Sequence, residues 1–244
     1  MSLRIDKLLA NSGFGSRKEV KQLLKTGGVK VDDSIVKNPK THVDPEQSHI
    51  TVHGEVVEYK EFIYLMMHKP ADVISATEDG RDRTVIDLLE DEDLIYEPFP
   101  VGRLDKDTEG LLLLTNDGQL AHQLLSPKKN VPKTYYAKIN QLVDETDIEA
   151  MAAGVTLDDG YETKPGILKI LDVNEPTSIE LTITEGKFHQ VKRMFEAVGK
   201  KVVYLKRLSM GPIELDEQLP IGTYRELTNS ELETLKQYIG EAKE

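Results

Sequence analysis

The 244-residue chain contains no cysteine. Disulfides, thiolate metal sites and a thiol nucleophile are therefore excluded. No G-x-S-x-G elbow occurs either, which removes a common serine hydrolase arrangement. Long apolar runs are missing: no stretch reaches membrane-spanning length, and the opening MSLRIDKLLANSG lacks the apolar core of a secretory signal. The expectation is a soluble protein of a bacterial-type cytoplasm. Positive charge is in deficit, with 31 Lys and Arg against 43 Asp and Glu and a formal net charge of −12. That balance speaks against a general nucleic-acid binder, whose affinity comes from Lys and Arg on phosphates.

The deficit is uneven along the chain. Residues 1–40 carry nine bases against four acids, residues 127–138 four bases and no acid, and residues 187–207 seven bases against Glu196 alone. Acid concentrates at 87–97 and 144–162. Three basic islands on an acidic body suit a protein that holds RNA along one face, and equally suit plain solvated surfaces.

The length accommodates two domains, and the text changes character near Glu58–Glu61, placing a boundary between 1–60 and 61–244. In the first part, Ser16 and Glu19 form a capping box ahead of RKEVKQLLKT, and Gly27-Gly28 stops that helix. On a helical wheel Arg17, Lys18, Lys21 and Lys25 share one arc, with Val20, Leu23 and Leu24 on another. Gly13-Phe14-Gly15 reads as a turn between helices. An amphipathic turn at Leu3–Leu9 and strand-like segments at Val29–Val31 and HITVHGEVV complete the module. His49 and His53 would sit about 13 Å apart along such a strand, too far to share a metal.

The second part opens with FIYLMMHKP, a strand stopped at Lys69-Pro70. A buried strand follows at Leu111–Thr115, closed by Asn116-Asp117-Gly118, then a helix over Gln119–Leu125. KTYYAKI and SIELTITEG alternate as strands, HQVKRMFEAVG reads as a helix, and Thr228 with Glu231 caps a C-terminal helix. Strands with irregular connections and segregated helices give an α+β fold.

Directly ahead of the four-leucine strand, GRLDKDTEG presents the carboxylate of Asp105 on a short loop. Beside a hydrophobic sheet it can act as a nucleophile or a buried counter-charge; paired with Arg103, it can equally cap a turn. Asp105, Asp107 and Glu109 imitate a calcium loop, but Asn116 stands where the bidentate Glu is required.

The segment GRLDKDTEGLLLLTNDG resembles the catalytic motif of the RsuA-type ribosomal pseudouridine synthases. LRIDKLLANSGFGSRKEVKQLLKTGGVKVDD is similar to the S4 RNA-binding domain, and VPKTYYAKI, EGKFHQVKRMF and VVYLKRLSMGP resemble the family's further motifs. At the Lys-Pro turn the chain departs from the family, with His68 where Asn is common and Asp72 where Gly is common.

The resemblance implies an S4 (alpha-L) domain joined to a catalytic domain with a mixed, largely antiparallel sheet, flanking helices and a central cleft. It implies Asp105, Tyr135 and Lys192 as catalytic residues, with the lysine favouring the charged aspartate and the tyrosine stacking on an extruded base. Leu205 would line the pocket. Arg103, Lys133, His189, Gln190 and Arg193 would contact substrate, as would Arg17, Lys18, Lys21 and Lys25 on the S4 helix. No metal or organic cofactor is implied, and nothing demands more than a monomer. The implied substrate is one uridine of 16S ribosomal RNA, at the family's position 516. The rivals are a 23S enzyme with the same chemistry and a non-catalytic ribosome-assembly factor that binds RNA through the S4 helix alone.

Overall fold

The computed structural model describes residues 2–241. Two compact units emerge: one runs to Ile63 and takes in Glu90–Glu97, the other comprises Tyr64–Leu89 and the chain from Pro98 onward. A single cut at 60/61 therefore does not describe Glu90–Glu97. Among the described residues no helix is long and apolar enough to cross a membrane.

The first unit contains β1 (Leu3–Arg4), α1 (Ile5–Asn11), α2 (Arg17–Thr26), β2 (Val29–Val31), β3 (Ser34–Ile35), β4 (His42–Val43), β5 (Ile50–Val52), β6 (Glu55–Val56) and α3 (Asp91–Leu94). Both halves of the expected capping box form at Ser16 and Glu19, and Gly27 ends α2 in the left-handed conformation. Val20 and Leu24 are fully buried among Ile5, Leu8, Leu9 and Val29, which ties the helix down. Each such side chain contributes roughly 1.5–3 kcal/mol on burial. Arg17, Lys18, Lys21 and Lys25 are exposed on the other side. HITVHGEVV is not one strand. It is the β5–β6 hairpin, turned at His53 (φ 52°) and Gly54 (φ 93°), so His53 occupies a turn rather than a strand face.

The second unit contains β7 (Tyr64–Lys69), β8 (Phe99–Pro100), β9 (Glu109–Thr115), α4 (Gly118–Leu125), β10 (Lys133–Ile139), α5 (Glu145–Ala153), β11 (Ile167–Asp172), β12 (Thr177–Ile183), α6 (Gln190–Ala197), β13 (Val202–Met210), β14 (Ile213–Glu214), β15 (Tyr224–Glu226) and α7 (Asn229–Glu241). Leu111–Leu114 are all buried, which is why β9 reads as a continuous apolar run: both faces of the strand are covered. Asp117 caps α4 by accepting from the amides of Gln119 and Leu120, each at 3.0 Å.

These strands build a mixed sheet in the order β11-β12-β10-β13-β9-β7-β15, with β8 added on β9 and β14 on β13. All its ladders are antiparallel except the central one. There β9 and β13 run parallel and register at only two positions, Lys206 with Glu109 and Arg207 with Gly110. The two halves of the sheet therefore meet at a short seam and part beyond it. Gly110 makes the seam possible, since it adopts φ +105° and a Cβ there would lie 2.3 Å from the Arg207 carbonyl oxygen. Beside it the Tyr204 hydroxyl donates to Glu109 at 2.6 Å.

Candidate active site

Asp105 lies on the loop that enters β9 beside this seam, and the loop is clamped from below. Lys69, at the end of β7 and fully buried, donates from Nζ to the carbonyl oxygens of Pro70 (2.9 Å), Asp105 (3.1 Å), Lys106 (3.4 Å) and Thr108 (2.9 Å). Ser75 Oγ donates to the Leu104 carbonyl and accepts from its amide, both at 3.0 Å. The Asp72 amide donates to the Lys106 carbonyl at 2.8 Å. Asp72 itself stands at φ 63°, in the left-handed region that glycine enters freely and aspartate is among the few side chains to tolerate. That backbone requirement explains why a Gly-to-Asp departure at this turn leaves the loop intact.

The loop delivers the Asp105 carboxylate to Lys192, whose Nζ donates to Oδ2 at 3.0 Å and to Asp107 Oδ1 at 2.6 Å. His189 Nε2 lies 3.6 Å from the other Asp105 oxygen. Burial alone would push the Lys192 ammonium down, but the bonds from Asp107 and Asp105 outweigh it and raise its pKa above the ordinary value. Burial likewise pushes the Asp107 carboxyl up, and the Lys192 bond and charge overcome this to hold it low. The lysine is thus a fixed cation between two carboxylates. Lys69 behaves oppositely: burial drives its pKa down to about 8, although Asp107, Asp105, Glu109 and Asp72 all pull it upward.

Lys192 is delivered by the first turn of α6, whose Val191, Met194 and Phe195 pack inward. The helix starts one residue later than expected: His189 precedes it in the left-handed conformation, φ 49°, and stacks on Phe188 with ring centroids 3.7 Å apart. Gln190, almost fully buried, accepts from the Lys187 amide and donates to Glu185, both at 2.9 Å, fixing the turn into the helix. The opposite wall comes from β10 and β13. Alternation puts Lys133, Tyr135 and Ala137 on one face of β10, and the register sets Tyr135 across from Arg207 and Ala137 across from Leu205.

A depression of about 70 Å³ results, bounded by Arg103, Asp105, Tyr135, His189, Gln190 and Leu205. Six of the expected residues border it, and Lys192, which is not on its lining, joins them through its bond to Asp105. Arg193 does not line it, because its guanidinium is held by Asp158 and Asp159. Lys133 lines an adjoining cavity instead. The four S4-helix cations belong to the other unit. Sequence reasoning missed Asp107, Lys69, Ser75 and Arg207. Asp107 was visible only as a false calcium ligand, and Lys69 only as the end of a strand. A lone buried lysine in an apolar strand was the available signal. Among the described residues no group of three or more His, Asp or Glu is arranged to hold a metal ion.

Chemically, the arrangement offers a carboxylate paired with a cation, an aromatic ring with a hydroxyl on the same pocket, and an aliphatic wall. It suits a flat polar base brought beside a reactive carboxylate.

Residues 63–197 match the family model described as RNA pseudouridylate synthase, and residues 3–49 match the S4 domain. The chain is 58% identical over 236 residues to an uncharacterised RNA pseudouridine synthase, YtzG, of Bacillus subtilis, covering 96% of this chain and 99% of that one. It is 41% identical to the ribosomal small subunit pseudouridine synthase A of Vibrio cholerae, covering 96% and 99%. To the ribosomal large subunit pseudouridine synthase B of Bacillus subtilis it is 39% identical, covering 96% and 95%. A crystal structure of a pseudouridylate synthase superposes with TM-score 0.67 at 38% identity, covering 96% of this chain and 99% of that chain.

Proposed function

The chain belongs to the RNA pseudouridylate synthase family, with an S4 domain at its N-terminal end, and from that premise we propose that it isomerises one uridine of 16S ribosomal RNA in the cytoplasm, acting as a monomer. It is an RNA pseudouridine synthase, and its substrate is RNA. The finer reading names the target. The likeness to a small-subunit enzyme over nearly the full length of both chains supports 16S RNA.

The reaction breaks the bond between N1 of uracil and C1′ of ribose, turns the base, and joins C5 to C1′. The C5 hydrogen leaves and N1 gains one. The base must first leave the stack, at a cost of a few kcal/mol. In this reading Asp105 acts on the detached or detaching nucleotide, and Lys192 pairs with it and aims it. Tyr135 stacks on the base, and Leu205 closes the apolar side. Arg103, His189 and Gln190 border the same depression and contact the nucleotide. The observation that carries the proposal is the 3.0 Å contact of Lys192 with Asp105, which lines one depression together with Tyr135.

Release of tritium from C5-labelled ribosomal RNA tests it. Native protein should release tritium from 16S RNA, and Asp105→Asn should release none. Equal release by both proteins would end the assignment of Asp105. Release from 23S RNA alone would move the target to the large subunit.

A further inference from the structure

Next to the catalytic depression lies a larger cavity of about 290 Å³ that shares Arg103, Tyr135 and Lys187 with it. Its floor carries two buried cations, Lys133 (9% exposed) and Arg207 (2% exposed). The Lys133 ammonium donates to the Val131 carbonyl at 2.9 Å, and Arg207 Nε to the Leu111 carbonyl at 2.8 Å. Arg207 Nη2 has no hydrogen-bond partner among the described residues. Neither side chain has a carboxylate partner among them.

Among the described residues Glu185 is the one carboxylate on the cavity wall, and it is spent on other donors: the Tyr161 hydroxyl at 2.5 Å, the Lys164 amide at 2.9 Å and Gln190 at 2.9 Å. Lys187 sits over the Tyr161 ring, 4.3 Å from its centroid. Two like charges buried on the lining of one cavity, with no carboxylate among the described residues bonded to either, are costly to maintain. Burial, and then the charge of Arg207, push the Lys133 pKa down to about 8, the expected mark of an uncompensated pair. Such a pair is stabilised by an anion that enters from outside, and a phosphate matches the charge and accepts hydrogen bonds from an ammonium and from the unpartnered Arg207 Nη2.

We propose that this cavity binds a phosphodiester of the RNA backbone next to the target nucleotide, with Lys133 and Arg207 as its paired ligands. The proposal rests on the RNA substrate reading above. A phosphate seated there neighbours the nucleotide in the depression because Tyr135 and Arg103 form the wall between the two. It anchors the strand while the base turns.

The test uses the full chain, C5-tritiated ribosomal RNA from cells lacking the gene, and inorganic phosphate as a probe of the cavity alone. Lys133→Met should raise KM about tenfold, leave kcat within about twofold, and flatten the plot of log KM against log salt by about 0.7–0.9. Lys133→Arg should restore both. Inorganic phosphate at about 50 mM should raise the Tm of the native protein and not that of Lys133→Met. Arg207→Lys keeps the charge and should retain a reduced phosphate shift. If Lys133→Met fails to fold, Lys133→Gln takes its place. Native KM and salt slope in the variant, with equal phosphate shifts in both proteins, would overturn the proposal. If native protein releases no tritium from any ribosomal RNA, the substrate reading fails, and the phosphate shift alone decides the cavity.

Discussion

The Lys69 ammonium lies 3.1 Å from the main-chain carbonyl oxygen of Asp105, and the same nitrogen reaches the carbonyls of Pro70, Lys106 and Thr108. A buried cation is thus held by backbone dipoles, and in return sets where the carboxylate loop sits. Three ammonium protons serve four carbonyls, of which Lys106 at 3.4 Å is the weakest bonded. Strand β7 is in this way the rigid base on which the proposed catalytic residue stands.

From this contact follows a pH dependence. Burial lowers the Lys69 pKa to about 8, so above that pH the clamp loses a proton and one donor. At saturating RNA, kcat should decline as pH rises through about 8. Stability moves the other way: an ordinary lysine titrates near 10.5, so between about 8 and 10.5 the unfolded chain holds the extra proton. The contribution of this group is complete above the unfolded value and is lost as pH falls through about 8. Urea unfolding of native protein and Lys69→Met should show the difference in stability shifting in favour of the native protein between pH 8 and 10. A pH-independent difference would refute the titration. The variant should also lose roughly 100-fold in kcat through a misplaced loop.

Gly110→Ala should break the seam. The new Cβ would meet the Arg207 carbonyl oxygen at 2.3 Å and its nitrogen at 2.6 Å, at φ +105°, and neither backbone atom can yield cheaply. A cost of about 3 kcal/mol or more is expected from the combined strain and clash. Scanning calorimetry should record a Tm lower by roughly 6–12 °C. A drop below 2 °C would mean that the strands separate at no cost.

Lys192→Gln removes the cation shared by Asp105 and Asp107 at a partly exposed helix position that the fold tolerates changing. Single-turnover rates should fall about 10²–10³-fold with RNA affinity nearly unchanged, as when one preorganised electrostatic partner is deleted. Lys192→Arg should recover part of the rate. A rate within threefold of native for the Gln variant would show that Asp105 needs no cation.

The exposed basic face of α2 gives a separate expectation. Replacing Lys18, Lys21 and Lys25 with Gln should weaken RNA binding and reduce the slope of log affinity against log salt by about 0.7–0.9 for each phosphate the helix no longer neutralises. Filter binding across a salt series measures it. An unchanged slope would remove that face from the RNA interface.

Much of this architecture was legible in the chain because it is local. Ser16 with Glu19, Gly27, the four leucines of β9 and the alternation of KTYYAKI each act within a few residues, and each element formed where its pattern lies. Misreadings came where one residue changes the backbone. His53 and His189 both adopt positive φ, turning a supposed strand into a hairpin and trimming a supposed helix. At His53 the following Gly54 marks the turn, whereas at His189 no adjacent glycine announces it.

Asp105, Tyr135 and Lys192 were named from their motifs, so the amino-acid order alone determined which side chains were candidates and which elements would carry them. Their assembly was decided elsewhere. The parallel pairing of β9 with β13, the grip of Lys69 on the carbonyls of Asp105, Lys106 and Thr108, the sharing of Lys192 by two aspartates and the bond from Arg207 to the Leu111 carbonyl link residues 36 or more positions apart. No periodicity records such partners. The strand pairing is fixed by close packing at a seam only two residue pairs long, where backbone meets backbone and a single added carbon would not fit, and the side-chain contacts follow from where that seam sets the loop before β9.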